Sequence, residues 1–152
     1  NVIAPIRTEP GGPAWRQSIF HPFALTAKYA RGQVLRVEPE CATIPTDRYG
    51  EVPAIWATAT HDEETGELAL FVVNRDRHRP CELELTLPEG LRPVEHIELA
   101  DDDPSAVNTA EAPDRVVPRP GAGARMEGHH ASVTLTPASW SVVRFTGVPD
   151  RE

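Results

Sequence analysis

The chain has 152 residues, enough for one domain or for one domain with a piece of another. Its net charge of -8, with 15 Lys and Arg against 23 Asp and Glu, argues against a nucleic-acid surface, which needs clustered cations, and no polybasic run offers itself to an anionic membrane. With 16 prolines, 10 glycines and no collagen-like period, the composition points to many turns and short strands rather than a helix bundle, and at this size one core forms without a metal or disulfide staple.

Residues 1–6 (NVIAPI) form a short apolar run closed by Arg7 and Thr8. Such a run suits a strand buried on both faces, as in a parallel sheet. It lacks the basic and long apolar regions of a signal peptide and reads like the middle of a fold, so a fragment and a cytoplasmic setting are expected. Glu9-Pro10-Gly11-Gly12-Pro13 predicts a loop. Over residues 15–31, Ile19, Phe20, Phe23, Ala24, Ala27 and Ala30 recur at three- and four-residue steps, which is a helical stripe. Lys28 and Arg31 would lie in its last turn and Gly32 at C′. Pro13 and Pro22 both fit a first turn, so the helix either starts late or kinks near Pro22.

After Gly32 the apolar period changes to two. Residues 34–37 predict a strand, and a Pro-bearing loop covers residues 39–53. Residues 54–61 and 68–74 flank Asp62-Glu63-Glu64-Thr65-Gly66-Glu67 as the clearest hairpin in the chain. Residues 82–87 alternate strictly, and residues 94–99 do so less regularly. A long acidic loop follows from Asp101 to about Pro120, then a last strand pair at residues 131–135 and 140–145. Short strands at this spacing indicate an antiparallel, jelly-roll-like β-sandwich. The organisation is bipartite: residues 1–32 follow the strand–loop–helix pattern of one βα unit, residues 33–147 are all-β, and residues 148–152 are a tail. One βα unit cannot cover both faces of its own strand, so it needs neighbours this sequence does not contain. No run approaches the 18 or more apolar residues of a membrane-spanning helix. Cys41 and Cys81 could form one bridge; reduced thiols are the reading that suits a cytosolic protein.

The words NVIAPI, WRQ (Trp15-Arg16-Gln17) and Phe20-His21-Pro22-Phe23, in that order and spacing, resemble the last barrel strand and following helix of glycoside hydrolase family 51 α-L-arabinofuranosidases. Gly50-Glu51-Val52-Pro53, Leu70-Phe71-Val72-Val73-Asn74-Arg75, Asn108-Thr109 with Pro113-Asp114-Arg115-Val116, and Pro137-Ala138-Ser139-Trp140-Ser141-Val142 extend the resemblance over nearly the whole chain. It implies a (β/α)8 barrel joined to a β-sandwich, with residues 1–32 the last strand, loop and helix of the barrel. It also implies retaining hydrolysis of terminal non-reducing α-L-arabinofuranosyl residues in arabinose-containing polysaccharides and oligosaccharides, by two glutamates about 5–5.5 Å apart. In the family those glutamates lie on earlier barrel strands, so no catalytic residue is expected here. The family's sandwich also takes a strand or two from the N-terminus of the full enzyme, so one sandwich edge is expected to be open or filled by another chain, a homo-oligomer among the possibilities.

The resemblance places Gln17 beside the sugar pocket, where an uncharged amide donates to and accepts from hydroxyls. Trp15 either stacks on the sugar or packs the helix on the barrel, and packing is the favoured role. Glu9 reads as a solvated loop carboxylate. Asp101-Asp102-Asp103 lacks EF-hand spacing and reads as a turn, and His129-His130 lacks the i, i+4 spacing of a helical zinc pair. No metal or cofactor is implied. Trp56 is in phase with the polar Thr58 and Thr60, which leaves open whether it faces an interface or the core, whereas Trp140 is in phase with Val142 and is expected in the core. The leading expectation is a structural and assembly domain acting on arabinose-containing glycan only through the barrel. The rivals are a carbohydrate-binding module presenting Trp56 and a protein-interaction sandwich.

Overall fold

In the computed structural model, which describes residues 3–147, the chain opens with an antiparallel hairpin. Strand β1 (Ile6–Thr8) pairs with β2 (Ala14–Arg16), Ile6 opposite Arg16 and Thr8 opposite Ala14. Glu9 closes the loop through its carbonyl, which accepts from the Gly12 N–H at 3.0 Å, and Gly11 takes the left-handed φ of 68° that the turn requires. This corrects the expected strand over residues 1–6. Ile3 and Ile6 are 81% and 51% exposed, because among the described residues that run finds no parallel neighbour to cover it. Asn1, Val2 and residues 148–152 lie outside the described residues.

Helix α1 (Phe20–Tyr29) starts late, with Pro22 in its first turn, where a missing N–H breaks no intrahelical bond. Residues 15–19, expected to be helical, are strand and turn, so Trp15 belongs to β2. At the other end the Arg31 guanidinium donates to the carbonyls of Ala27 (2.8 Å) and Ala30 (3.0 Å), capping the negative end of the helix dipole. The C-cap is Ala30, so Gly32 comes one residue later than expected. Its φ of 73° and its closeness to β-structure both demand glycine: a methyl there would overlap the His61 carbonyl.

The remaining strands are β3 (Gln33–Leu35), β4 (Thr43–Thr46), β5 (Gly50–Pro53), β6 (Ile55–Asp62), β7 (Glu67–Asn74), β8 (Cys81–Thr86), β9 (Leu91–Leu99), β10 (Arg119–Pro120), β11 (Ala124–Glu127), β12 (His130–Leu135) and β13 (Ser139–Gly147). They form a six-stranded sheet, ordered β10-β9-β13-β7-β6-β3, a three-stranded sheet, β11-β12-β8, and the small β4-β5 hairpin. The pairings are antiparallel. The expected mainly β sandwich is therefore the observed one. Between its sheets lie Ile55, Ala59, Leu68, Leu70, Val72, Val143 and Phe145 from the large sheet and Ala131, Val133 and Leu135 from the small one. Period-two alternation sends these side chains to one face.

The central strands β7 and β13 are covered on both faces. Their outward Ala69, Phe71, Val142 and Trp140 lie under Leu25, Tyr29 and Ala30 of the helix region. Helix α1 thus docks on the sandwich by Leu25 and Tyr29, while Phe23 on its predicted stripe is 69% exposed and Ala24 and Ala27 also face solvent. The second sheet has three strands against six, and β8, paired among the described residues with β12 alone, leaves one edge free there. Beside that edge lies a cleft of about 900 Å³, walled by Leu35, Ala57, Ala59, Leu68 and Leu70 on one side and Leu83 and Leu85 on the other.

Candidate functional site

The hairpin that carries Trp15 and Gln17 is held from two directions. Within the opening unit, the Gln17 N–H donates to the Pro5 carbonyl at 2.8 Å and the Gln17 carbonyl accepts from the Phe20 N–H at 2.9 Å. From the sandwich, the loop between β9 and β10 reaches over β2. The Trp15 indole N–H donates to the Asn108 carbonyl at 3.1 Å, and the Asn108 amide donates to the Arg16 carbonyl at 3.0 Å. The Arg7 guanidinium lies 5.8 Å from the Trp15 ring centroid, on the cross-strand partner position. Trp15 and Gln17 are both half-buried. The structure brings these two singled-out residues into one segment, two positions apart, with Arg16 between them. An uncharged amide beside an indole can hydrogen-bond and stack on a polyol; neither group can serve as proton donor and nucleophile to a glycosidic bond.

Carboxylates converge elsewhere, and they are engaged. Arg144 bridges Glu67 and Glu95 at 2.9 Å each on the outward face of the large sheet. The Arg144 guanidinium lies 4.2 Å from the Tyr29 ring centroid, and the Tyr29 hydroxyl donates to Glu95 at 3.2 Å. Partial burial opposes the Arg144 charge, but the Glu95 hydrogen bond and the charge of Glu67 outweigh it and raise its pKa. This cluster ties helix α1 to β9 and β13. Glu9 sits exposed in the β1–β2 turn, as the sequence suggests.

Trp56 is 59% exposed, on the outward face it shares with Thr58, but the Arg75 guanidinium lies 5.3 Å from its ring centroid and occupies one face. Trp140 is half-buried against Phe71, ring centroids 6.2 Å apart, under the helix rather than between the sheets. Asp101 and Asp103 accept from the backbone N–H groups of Asp103 and Ser105, both at 2.9 Å, as turn carboxylates do. His129 precedes β12 instead of lying in it, and its ring stacks on His130 with centroids 4.2 Å apart. Cys41 and Cys81 are free thiols on the wall of the cleft beside β8, and burial followed by the neighbouring Cys41 raises the Cys81 pKa.

Two histidines are withdrawn from solvent in whole or in part. His96, on β9, accepts from the Gly123 N–H through Nδ1 at 3.3 Å, which puts its proton on Nε2, 3.1 Å from the Ser141 hydroxyl. Burial lowers its pKa against the opposing charge of Glu98. His21, in the first turn of α1, is lowered by burial and then by Arg16, and its Nε2 finds no partner among the described residues. Asn108 is the residue sequence reasoning undervalued: it drew attention as part of a motif, not for its bonds. The signal available was a polar residue inside an acidic loop between turn-forming neighbours.

Comparison with known proteins gives concordant results. Residues 1–139 match the family described as the α-L-arabinofuranosidase C-terminal domain. An intracellular exo-α-(1→5)-L-arabinofuranosidase of Streptomyces lividans is 45% identical over 146 residues, 95% of this chain and 22% of that protein. An exo-α-(1→6)-L-arabinofuranosidase of Bifidobacterium longum is 47% identical over 149 residues, 94% of this chain and 28% of that protein. The solved structure of a family 51 α-L-arabinofuranosidase from Bifidobacterium longum superposes with a TM-score of 0.86 at 43% identity, over 93% of this chain and 28% of that one. The chain thus spans between a fifth and a third of the length of these relatives.

Proposed function

Since this chain belongs to the C-terminal domain family of the glycoside hydrolase family 51 α-L-arabinofuranosidases, we propose that it is the structural and assembly part of such an enzyme, inert alone. On this reading, residues 1–32 complete a catalytic barrel and residues 33–147 form the sandwich that carries it. The observation behind it is the two-faced helix: α1 turns Leu25 and Tyr29 to the sandwich and leaves Phe23, Ala24 and Ala27 facing outward with Ile3 and Ile6. Exposed apolar side chains of this kind, on the side of the helix turned away from the sandwich, call for a further partner, and a catalytic barrel is the partner its sequence suits. Gln17 and Trp15 would then line the sugar pocket at the barrel mouth, and the paired glutamates would come from elsewhere in the enzyme.

The substrate proposed for the whole enzyme is a terminal non-reducing α-L-arabinofuranosyl unit of an arabinose-bearing glycan, released with retention of configuration. The relatives' names include both (1→5) and (1→6) linkages, and several carry the word intracellular, which supports a site of action inside the cell. The expected result is no turnover of an aryl α-L-arabinofuranoside by this chain alone and normal turnover by the full enzyme. Enzyme-like turnover by residues 1–152 alone overturns the reading. A carbohydrate-binding role has one observation in its favour, exposed Trp56; saturable binding of arabinoxylan that disappears in Trp56→Ala would establish it. The free edge of β8 and its apolar cleft support a strand supplied from outside residues 3–147, by the enzyme's own N-terminus or by a second copy.

A further inference from the structure

Asn108 stands where the long sandwich loop meets the hairpin of the opening unit. Its side chain is 4% exposed, and each of its polar groups is engaged. Within the loop, Oδ1 accepts from the Val116 N–H at 2.7 Å and Nδ2 donates to the Val116 carbonyl at 3.0 Å. Across the junction, the same Nδ2 donates to the Arg16 carbonyl at 3.0 Å, and the Asn108 backbone carbonyl receives the Trp15 indole N–H at 3.1 Å. The two bonds to Val116 lie within the loop, whereas the two bonds to Arg16 and Trp15 reach back 92 and 93 residues. Only a neutral amide fits. A carboxylate would face two carbonyl oxygens, and an apolar side chain would leave the buried Val116 carbonyl and the partly buried Arg16 carbonyl without this donor.

Gln17 follows Arg16 directly, and its own N–H and C=O are fixed by Pro5 and Phe20. The peptide joining Arg16 to Gln17 is therefore held at the Arg16 carbonyl by Asn108 and at the Gln17 N–H by Pro5. We propose that Asn108 is a positioning residue of the sugar site, a sandwich residue that sets the place of the Gln17 amide through the backbone of Arg16 and the plane of Trp15 through its own carbonyl. This rests on the reading that Gln17 and Trp15 face the sugar. A displacement of about 1 Å in such a group is enough to lower turnover roughly 100-fold, so the clamp bears on rate although Asn108 touches no substrate.

The test uses the full-length enzyme and an aryl α-L-arabinofuranoside, at a temperature where circular dichroism shows every variant folded. Asn108→Ala removes the side-chain clamp. Asn108→Ser keeps an uncharged side chain whose oxygen can accept from the Val116 N–H but lacks the amide donor to Arg16 and Val116, which covers the case in which the alanine variant does not fold. Val133→Ala, in the sandwich core and fully buried, is the control for loss of stability alone. Both Asn108 variants should lose roughly 10- to 100-fold in kcat/KM, and Val133→Ala should stay within about twofold of wild type despite a comparable fall in Tm. The double variant Gln17→Ala/Asn108→Ala should lose less than the two single losses combined, because part of what Asn108 does is done through Gln17. Additive losses, wild-type turnover in both Asn108 variants, or an equal loss in Val133→Ala overturns the positioning role while leaving the sugar-site reading intact. Wild-type turnover in Gln17→Ala overturns the sugar-site reading itself.

Discussion

The sandwich and the opening unit use similar apolar residues to opposite ends. Phe145 on β13 and Phe23 on α1 are the same side chain, yet one is 0% exposed between two sheets and the other 69% exposed on a helix. Both belong to regular apolar patterns, period two in the strand and period 3.6 in the helix. The pattern announces that a face will be covered; it does not say that the cover belongs to the same chain. Removing the two rings should expose the difference. Phe145→Ala leaves a cavity among Leu68, Leu70 and Leu135 and should cost about 3–5 kcal/mol in urea unfolding of the isolated chain. Phe23→Ala should change that stability by less than ~0.5 kcal/mol. In the full enzyme, the Phe23 variant should become the costly one too if a barrel covers it, and an unchanged Tm there would count against the assembly role.

A smaller effect lies at the joint between the two regions. Gly32 needs a left-handed φ and has the His61 carbonyl at its back, so Gly32→Ala should cost on the order of 1–3 kcal/mol. Its Tm should fall with that of the sandwich, because the strain falls on the turn into β3. Arg144→Met tests the dock instead of the joint. It should cost roughly 1 kcal/mol, since Glu67 and Glu95 are half-exposed and water replaces part of what the guanidinium supplied. Amide exchange over Phe20–Tyr29 should rise while that of β12 stays slow. Equal loosening of both would mean that the opening unit and the sandwich are one cooperative body.

The same contrast governs how much of the molecule its sequence discloses. The β6–β7 hairpin was legible because alternation and Gly66 act locally, and the strictly alternating β8 was legible for the same reason. The β4–β5 hairpin was hidden inside an expected loop, because Pro45 and Pro53 argue against strands; a two-stranded ribbon outside both main sheets can leave their missing N–H groups unpaired. Trp140 was placed in phase with Val142 correctly. The cover over both is α1, and no strand pattern says which face a helix will choose. For the candidate site, motif resemblance singled out Trp15 and Gln17, while the apolar period put Trp15 on the helix. Its indole bond goes to Asn108, at a sequence distance that periodicity cannot see. The Asn108 clamp was illegible for the same reason: it is a tertiary contact made by a loop.

The shallowest test of the comparison is acidity, because each region holds one histidine in a poorly hydrated place. His96 in the sandwich has a lowered pKa through burial, opposed by Glu98; His21 in the opening unit has a lowered pKa through burial and Arg16, opposed by Asp114. In the unfolded chain both titrate near ~6.5. Between that value and the lower folded pKa the unfolded state holds more protons, so stability rises with pH there. It is fully present above the unfolded pKa, is lost as pH falls through it, and levels off below the folded pKa. Each histidine contributes a slope of at most ~1.4 kcal/mol per pH unit. Protonation would also turn the His96 Nδ1 from acceptor to donor against the Gly123 N–H, so its effect should be cooperative with sandwich unfolding. His96→Gln should flatten the pH dependence of urea unfolding monitored at the sandwich core. His21→Gln should leave that curve almost unchanged and alter only the pH dependence of exchange in α1. If His21→Gln instead flattens global unfolding as much as His96→Gln does, the opening unit is as firmly joined to the core as any strand of it, and the exposed stripe on α1 is no sign of a missing partner.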